Sequence, residues 1–267
     1  MLNLIVATQA EADPVIARFN LKKTSSAFNC YEGRDLRLVI SGIGKCNAAI
    51  ACGWLANKTP DSKSAPVAWL NLGIAGHLSA EQGTAFMAHK ITDITTEKVW
   101  FPHRLSNDLP SSDLITVEKP LTSYIPDRLH DMEASAFTEA ARKFSDAELV
   151  QILKVVSDNE MQPWSKVTPK LATTLIANNI EPVALCINNL KRICDTITAP
   201  YHQISAEILN HWHFSVSQKV QLERLLQRHK VFLGCMTEIP PELQELKSSK
   251  EALTWLKNRV DSASLTL

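Results

Sequence analysis

Residues 149–158 read LVQILKVVSD, an apolar run that ends in a serine and an aspartate. Its apolar positions do not alternate with polar ones, which is typical of a strand whose two faces are both buried. Such strands occur in α/β proteins, where helices cover the sheet. The stretch therefore predicts a central strand, with Asp158 at its carboxyl end.

Five further apolar runs lie upstream, and three helical patterns lie between or beside them. The runs cover residues 2–7, 36–42, 67–73, 84–89 and 113–117, and the helical patterns cover 11–19, 45–57 and 132–144. Strands interleaved with helices indicate a three-layer α/β/α fold with a central mixed, mostly parallel sheet. We expect this core to span residues 1–160.

Residues 161–267 have a different pattern, which predicts a mostly helical segment. Thr168 and Pro169 form an N-cap and N1 pair for one helix, and a second pattern covers residues 181–196. Ser248 with Glu251 three positions later matches a capping box. We expect these helices to pack on the core or to form a small appended subdomain.

The composition excludes several classes of partner. Lys plus Arg and Asp plus Glu both total 28, so no net charge attracts nucleic acid or an anionic membrane. No run approaches the ~18 apolar residues of a membrane span, and the N-terminus resembles a strand rather than a signal peptide. The six cysteines include no CxxC pair, which argues against a disulfide framework and a zinc site. We expect a cytoplasmic protein that acts on a small molecule.

Acidic residues follow three of the predicted strands or open a helix. Glu11 follows the first run, Asp131 and Glu133 stand at the start of a helical pattern, and Asp158 ends the run quoted above. Each alone fits a helix cap, because a carboxylate near a helix N-terminus contributes roughly 0.3 to 1 kcal/mol. If the strands are parallel, however, these carboxylates emerge at the edge where α/β sheets bind ligands.

Two glycine-bearing segments follow predicted strands, SGIGKCNAA (41–49) and NLGIAGHL (71–78). A glycine-rich turn between a strand and a helix presents backbone N–H groups that can hold a phosphate, a carboxylate or a ribose hydroxyl. The alternative is a tight crossing that needs glycine only for its backbone conformation. Neither segment matches GxGxxG or GxxxxGK[ST], so no dinucleotide site or P-loop is predicted.

Taken in order, these motifs resemble the nucleoside phosphorylase superfamily and are most similar to its methylthioadenosine/S-adenosylhomocysteine nucleosidases. The resemblance rests on Glu11, SGIGK (41–45), NLGIAG (71–76), DMEASAF (131–137) and VVSDN (155–159). It covers residues 1 to about 160. It implies a nucleoside phosphorylase-like fold and an enzyme that cleaves the N-glycosidic bond of an adenosine-type nucleoside with water. It also implies no cofactor, no metal and a possible homodimer.

The same resemblance implies roles for individual residues. Asp158 would protonate or hydrogen-bond N7 of the departing purine, Glu11 would position and deprotonate the attacking water, and Glu133 would bind the ribose hydroxyls. Such roles suit a reaction that needs a better leaving group and a nucleophile on the opposite face. Further substrate contacts would come from Met132, Ser41, Gly42, Ala75, Gly76, His77, Leu121, Thr122 and Phe101.

The chain departs from the family between NLGIAG and DMEA, where its segment is short. Leu121 and Thr122 stand where the family has its base-contacting strand and loop, and Trp100, Phe101 and Tyr124 are candidates for the aromatic that stacks there. Two alternatives stay open: a phosphate-dependent purine nucleoside phosphorylase, and a non-catalytic nucleoside-binding or regulatory protein. The first glycine turn has no arginine, which favours water over phosphate as the nucleophile.

Overall fold

A computed structural model of the chain describes residues 1–58, 66–103, 109–121, 123–234, 236 and 238–264. The chain folds into two compact units, Met1–Cys194 and Asp195–Leu267. The boundary lies within a long helix. Residues 161–194 therefore group with the α/β unit, because the helix that begins at Pro169 packs against both a helix and a strand of that unit.

The first unit contains one sheet of ten strands. They are β1 (Leu2–Val6), β2 (Lys22–Thr24), β3 (Asn29–Glu32), β4 (Leu36–Ile40), β5 (Ala68–His77), β6 (Ala85–Asp93), β7 (Val99–Trp100), β8 (Ser111–Thr116), β9 (Arg128–Asp131) and β10 (Val150–Asp158). Their spatial order is β10-β6-β8-β9-β5-β1-β4-β3-β2, with β7 paired to β6. Because β10 also pairs with β5, strands β5, β10, β6, β8 and β9 close into a barrel-like ring.

The sheet is mixed, as predicted, but parallel pairings are not in the majority. Among the described strands, five pairings are parallel and five are antiparallel. β1, β4, β5 and β10 run in one direction, whereas β6, β8 and β9 run in the other. The chain is thus α/β with a mixed sheet, and the three-layer arrangement stays a prediction.

Eight α-helices are described. They are α1 (Gln9–Phe19), α2 (Lys45–Lys58), α3 (Ala134–Ala141), α4 (Pro169–Asn178), α5 (Ile180–His211), α6 (Val216–Leu233), α7 (Pro241–Gln244) and α8 (Ser249–Ser264). None of the described helices is long and apolar enough to cross a membrane.

Each unit has its own apolar core. In the first, Trp69 of β5 and Ile152 of β10 pack with Leu55 of α2 and Phe137 of α3, all at most 1% exposed. In the second, the fully buried Leu222 of α6 and Leu256 of α8 belong to a separate cluster. This burial matches the apolar runs and helical stripes of the sequence.

Short-range signals placed several elements correctly. Thr168 caps α4 by accepting the N–H of Leu171, with Pro169 at the first helical position. Ser248 accepts the N–H of Glu251 at the start of α8. Both interactions are local, which is why residue type and spacing were enough to predict them.

Two predicted elements are wrong. The segment 71–77 is not a turn: it continues β5, because β10 pairs with β5 in parallel from Trp69 to Gly76. The helix predicted for residues 181–196 extends from Ile180 to His211. Its apolar stripe continues with the buried Ile204 and Ile208, so burial carries the helix past the predicted end.

Candidate active site

A pocket of about 320 Å³ opens in the first unit. Ligand-binding pockets commonly measure about 300 to 1,000 Å³, so the volume suits a nucleoside-sized molecule. Its lining residues come from the carboxyl ends of β5, β9 and β10 and from the segments that follow β1, β4, β8, β9 and β10. They are Ala7, Thr8, Glu11, Ile43, Ile74, Ala75, Gly76, Val117, Pro120, Leu121, Tyr124, His130, Asp131, Met132, Glu133, Ser157, Asp158, Trp164 and Val167.

The three carboxylates that the sequence singled out, Glu11, Glu133 and Asp158, all line this one pocket. Glu11 and Asp158 stand at the carboxyl ends of the parallel strands β1 and β10, as expected. Glu133 does not follow a strand of this direction, because it comes after β9, which is antiparallel to β5. The expectation of a single parallel edge is therefore wrong for Glu133. It reaches the pocket because β9 overlaps β5 only at Gly76 and His77.

Glu11 is both a helix cap and a pocket residue. Its Oε2 accepts the backbone N–H and the hydroxyl of Thr8, each at 2.8 Å, which completes the capping box of α1. Its Oε1 accepts the N–H of Ile74 at 3.0 Å. The side chain is 3% exposed. These bonds hold the carboxylate at the pocket wall in one orientation.

Gly73 explains how Glu11 comes so close to the sheet. A Cβ atom at residue 73 would lie 2.9 Å from Glu11 Oε1 and 3.2 Å from the ammonium nitrogen of Lys154. The absence of a side chain therefore lets both charged groups lie against β5.

Asp131 and Glu133 have separate tasks. Asp131 accepts the N–H of Ala134 at 2.9 Å and that of Glu133 at 3.3 Å, so its carboxylate satisfies the first N–H groups of α3, although the N-cap position itself is Glu133. The Glu133 carboxylate instead accepts the N–H of Gly44 at 2.8 Å. Burial raises the pKa of Glu133 to about 7. Of the two nearest charges, Lys154 lowers this pKa and Asp131 raises it.

An ion pair of Lys45 anchors the first glycine turn. Gly42 and Gly44 have positive φ angles, and Lys45 follows them at the start of α2. The Lys45 ammonium lies 2.9 Å from the Asp93 carboxylate, which also accepts the Ser135 hydroxyl of α3. The turn that donates to Glu133 is thereby tied to β6 and to α3.

Lys154 of β10 is not among the lining residues of the pocket and is 1% exposed. Its ammonium nitrogen is 2.9 Å from an Asp131 oxygen. Burial disfavours its charge, but Asp131, Glu133 and Glu11 outweigh burial and raise the pKa of Lys154. The lysine therefore stays cationic and neutralises part of the negative charge of the three acids.

Asp158 is held from both sides. Its Oδ1 accepts the hydroxyl of Ser157, and its Oδ2 accepts the phenolic hydroxyl of Tyr124 at 2.5 Å. Burial and then the Asp158 carboxylate raise the pKa of the Tyr124 phenol, which therefore keeps its proton at neutral pH. A Cβ at Gly76 would lie 2.7 Å from Asp158 Oδ2 and 2.7 Å from the Tyr124 ring. Glycine is needed there for the two side chains to meet.

The structure brings together four of the nine further residues predicted to contact substrate. Met132, Ala75, Gly76 and Leu121 line the pocket with the three acids. Thr122 lies outside the described residues.

Four of the predicted contact residues are not in the lining. The Ser41 hydroxyl donates to the Gly42 carbonyl at 2.8 Å, and Gly42 packs against Asn47. His77 Nδ1 accepts the N–H groups of Ser79 and Ala80, and Phe101 is 68% exposed. For Ser41, His77 and Phe101, a backbone position near a strand end did not determine where the side chain points.

Several pocket residues carry no sequence motif. The sequence suggests Tyr124 only as a stacking aromatic, and it gives no reason to select His130 or Trp164, although both line the pocket. His130 accepts the Ile125 N–H at 3.2 Å, and burial lowers its pKa. The sequence does offer one signal for a buried polar position, which is a polar residue inside an apolar strand, such as Lys154.

Searches of protein-family models and of curated proteins find no match. Solved structures do match. The apo 5′-methylthioadenosine nucleosidase of Arabidopsis thaliana is 20% identical, with a TM-score of 0.58 over 71% of this chain and 95% of that chain. A 5′-methylthioadenosine/S-adenosylhomocysteine (MTA/SAH) nucleosidase, or MTAN, of Colwellia psychrerythraea in complex with adenine is 18% identical, with a TM-score of 0.51 over 66% and 93%.

The MTAN of Chlamydia trachomatis bound to MTA is 20% identical, with a TM-score of 0.53 over 69% of this chain and 97% of that chain. Nearly the whole of each solved chain is thus matched, whereas about a third of this chain has no counterpart in them. At identities this low, the TM-scores establish a common fold, and the activity has to be argued from the site. The chain has the fold of the MTA/SAH nucleosidases.

Proposed function

We propose that this chain is a nucleosidase that cleaves the N-glycosidic bond of an adenosine-type nucleoside with water. One observation carries the proposal: Glu11, Glu133 and Asp158, distant in sequence, line a single pocket of nucleoside size. The fold shared with structures of MTA and MTA/SAH nucleosidases supports the same reaction.

The proposed mechanism divides three tasks among the three acids. Glu133 accepts hydrogen bonds from the ribose hydroxyls. Asp158 delivers a proton or a hydrogen bond to N7 of the base, so that the base leaves with the electrons of the broken C–N bond. Glu11 takes a proton from the water that attacks the anomeric carbon. The products are the free base and the ribose derivative.

The surroundings of the acids suit these tasks. Glu11 already accepts three hydrogen bonds, which leave its carboxylate correctly oriented before substrate arrives. Glu133 has a pKa of about 7, so a fraction of it is ionised near neutrality and can accept from ribose. Lys154 behind them limits the repulsion between the carboxylates.

The lining favours water over phosphate as the nucleophile. None of the lining residues that the structure describes is a lysine or an arginine. A phosphate dianion beside Glu11 and Glu133 needs such a cation, since arginine and lysine are the usual partners of phosphate in proteins. Water needs only a hydrogen-bond acceptor, which Glu11 provides.

The decisive experiment measures free base after incubation with methylthioadenosine, adenosylhomocysteine, adenosine and inosine, each with and without phosphate. We expect base release from at least one adenine nucleoside without phosphate. Release that requires phosphate would support a phosphorylase instead. Tight binding without any release would support a nucleoside-binding protein. The possible homodimer, the cytoplasmic location and the three-layer arrangement stay predictions.

A further inference from the structure

Tyr124, a pocket residue from the segment after β8, bonds through its hydroxyl to Asp158 at the end of β10. The phenol donates to Asp158 Oδ2 at 2.5 Å. Oδ2 can accept this bond whether or not the other carboxyl oxygen of Asp158 carries the proton that serves N7. The proton of Tyr124 is thus committed to Asp158. The phenolic oxygen also accepts the backbone N–H of Trp164, and its remaining lone pair is available as an acceptor.

The surroundings hold the phenol in this orientation. The ring lies against the backbone of Gly76, where a Cβ would be only 2.7 Å away. The next residue, Ile125, donates its N–H to the buried His130, whose ring is 5.8 Å from that of Tyr124. Burial lowers the pKa of His130, so it is neutral at neutral pH and supplies no competing charge.

A purine bound for the proposed reaction presents N7 to Asp158, and its 6-substituent lies next to N7. In adenine this edge carries an N6 amino donor beside N7, whereas a 6-oxopurine carries an O6 acceptor there. An amino group can donate to the Tyr124 oxygen. An oxo group would face an oxygen whose proton is already committed, and one acceptor would be left without a partner.

We propose that Tyr124 is a specificity-determining residue, which selects 6-aminopurines over 6-oxopurines by presenting its oxygen as an acceptor beside Asp158. This inference rests on the proposed function, because it takes the base to lie against Asp158. It assigns to Tyr124 a role other than the stacking that its aromatic ring suggests.

The test is equilibrium binding of adenine and hypoxanthine, measured by calorimetry on the full chain. Wild type should bind adenine at least about tenfold more tightly than hypoxanthine, and Tyr124→Phe should lower this preference by about tenfold, the equivalent of one hydrogen bond. Tyr31→Phe is the matched control. Tyr31 lies on β3, away from the lining, and its hydroxyl bonds to Gln9, so this substitution should keep the preference.

A measurement on wild type alone guards against a variant that fails to fold. Unsubstituted purine should bind more weakly than adenine and more tightly than hypoxanthine, because it has neither the favourable donor nor the repelled acceptor. Hypoxanthine that binds as well as purine, an unchanged preference in Tyr124→Phe, or no binding of any base would each overturn the inference.

The two proposals fail in different ways. A wild-type protein that releases no base from any nucleoside, yet shows the adenine preference and its loss in Tyr124→Phe, contradicts the proposed hydrolysis and supports the role of Tyr124. A protein that hydrolyses nucleosides but keeps its adenine preference in Tyr124→Phe supports the proposed hydrolysis and contradicts the role of Tyr124.

Discussion

The ammonium nitrogen of Lys154 lies 2.9 Å from a carboxylate oxygen of Asp131, with side chains 1% and 0% exposed. This buried ion pair joins strand β10 to the cap of helix α3, and so connects the segment that carries Asp158 to the one that carries Glu133. Each of these buried charges stabilises the other, because either one alone would be uncompensated in the protein interior.

Lys154→Met should lower the free energy of unfolding by about 3 to 5 kcal/mol, since it leaves Asp131 buried without its cation. Urea unfolding measures the change. Lys191→Met is the matched control, because Lys191 pairs with Asp35 at 3.2 Å with 32% and 48% exposed side chains. That substitution should cost at most about 1 kcal/mol. Equal effects of the two substitutions would contradict the assignment of a buried charged pair.

Glu133 makes stability depend on pH. Burial raises its pKa from 4.5 to about 7, so folding favours the protonated acid. The associated stability is complete below pH 4.5 and is lost as the pH rises through 7. Wild type should therefore lose on the order of 3 kcal/mol relative to Glu133→Gln between about pH 4 and pH 8.

Urea unfolding at several pH values measures this difference. The exposed Glu160 supplies the control, and Glu160→Gln should track wild type across the range. A Glu133→Gln curve parallel to that of wild type would show that Glu133 does not gain a proton on folding.

Asp158→Asn should lower the rate of base release by about 10²- to 10⁴-fold, because an amide cannot deliver the proton that a carboxyl group supplies. Adenine affinity should stay close to that of wild type, since the side chain keeps its size. Single-turnover assays and calorimetry separate the two effects. Asp146→Asn, at an exposed position, should leave turnover intact. Near-normal turnover in Asp158→Asn would mean that another group is the general acid.

Gly76→Ala should impair the pocket, because the new Cβ would lie 2.7 Å from both Asp158 Oδ2 and the Tyr124 ring. We expect base release to fall by at least about tenfold, since a small misplacement of a catalytic group can cost up to about a hundredfold. In Gly53→Ala, the new Cβ meets no atom within 4 Å. That substitution lies within α2 and should stabilise the chain by roughly 0.5 to 1 kcal/mol. Equal activity of the two variants would contradict the close approach at Gly76.

The sequence alone determined the local features of this protein. Apolar runs without regular alternation predicted strands such as β1 and β10, and Thr168 before Pro169 predicted the start of α4. Glu11, Glu133 and Asp158 could be selected from the sequence because their spacing relative to strands and helices resembles that of a known family. These signals are readable because each depends on neighbouring residues, through periodicity, capping or motif order.

Only the tertiary structure decided how distant segments meet. The short overlap of β9 with the end of β5 brings Glu133 to the pocket, the pairing of β5 with β10 makes residues 71–77 a strand, and the loop after β8 carries Tyr124 to Asp158. The partner of Lys154 was equally invisible in the sequence. Strand pairing and the burial of charges depend on residues far apart in the chain, and no local pattern encodes which of them will be in contact.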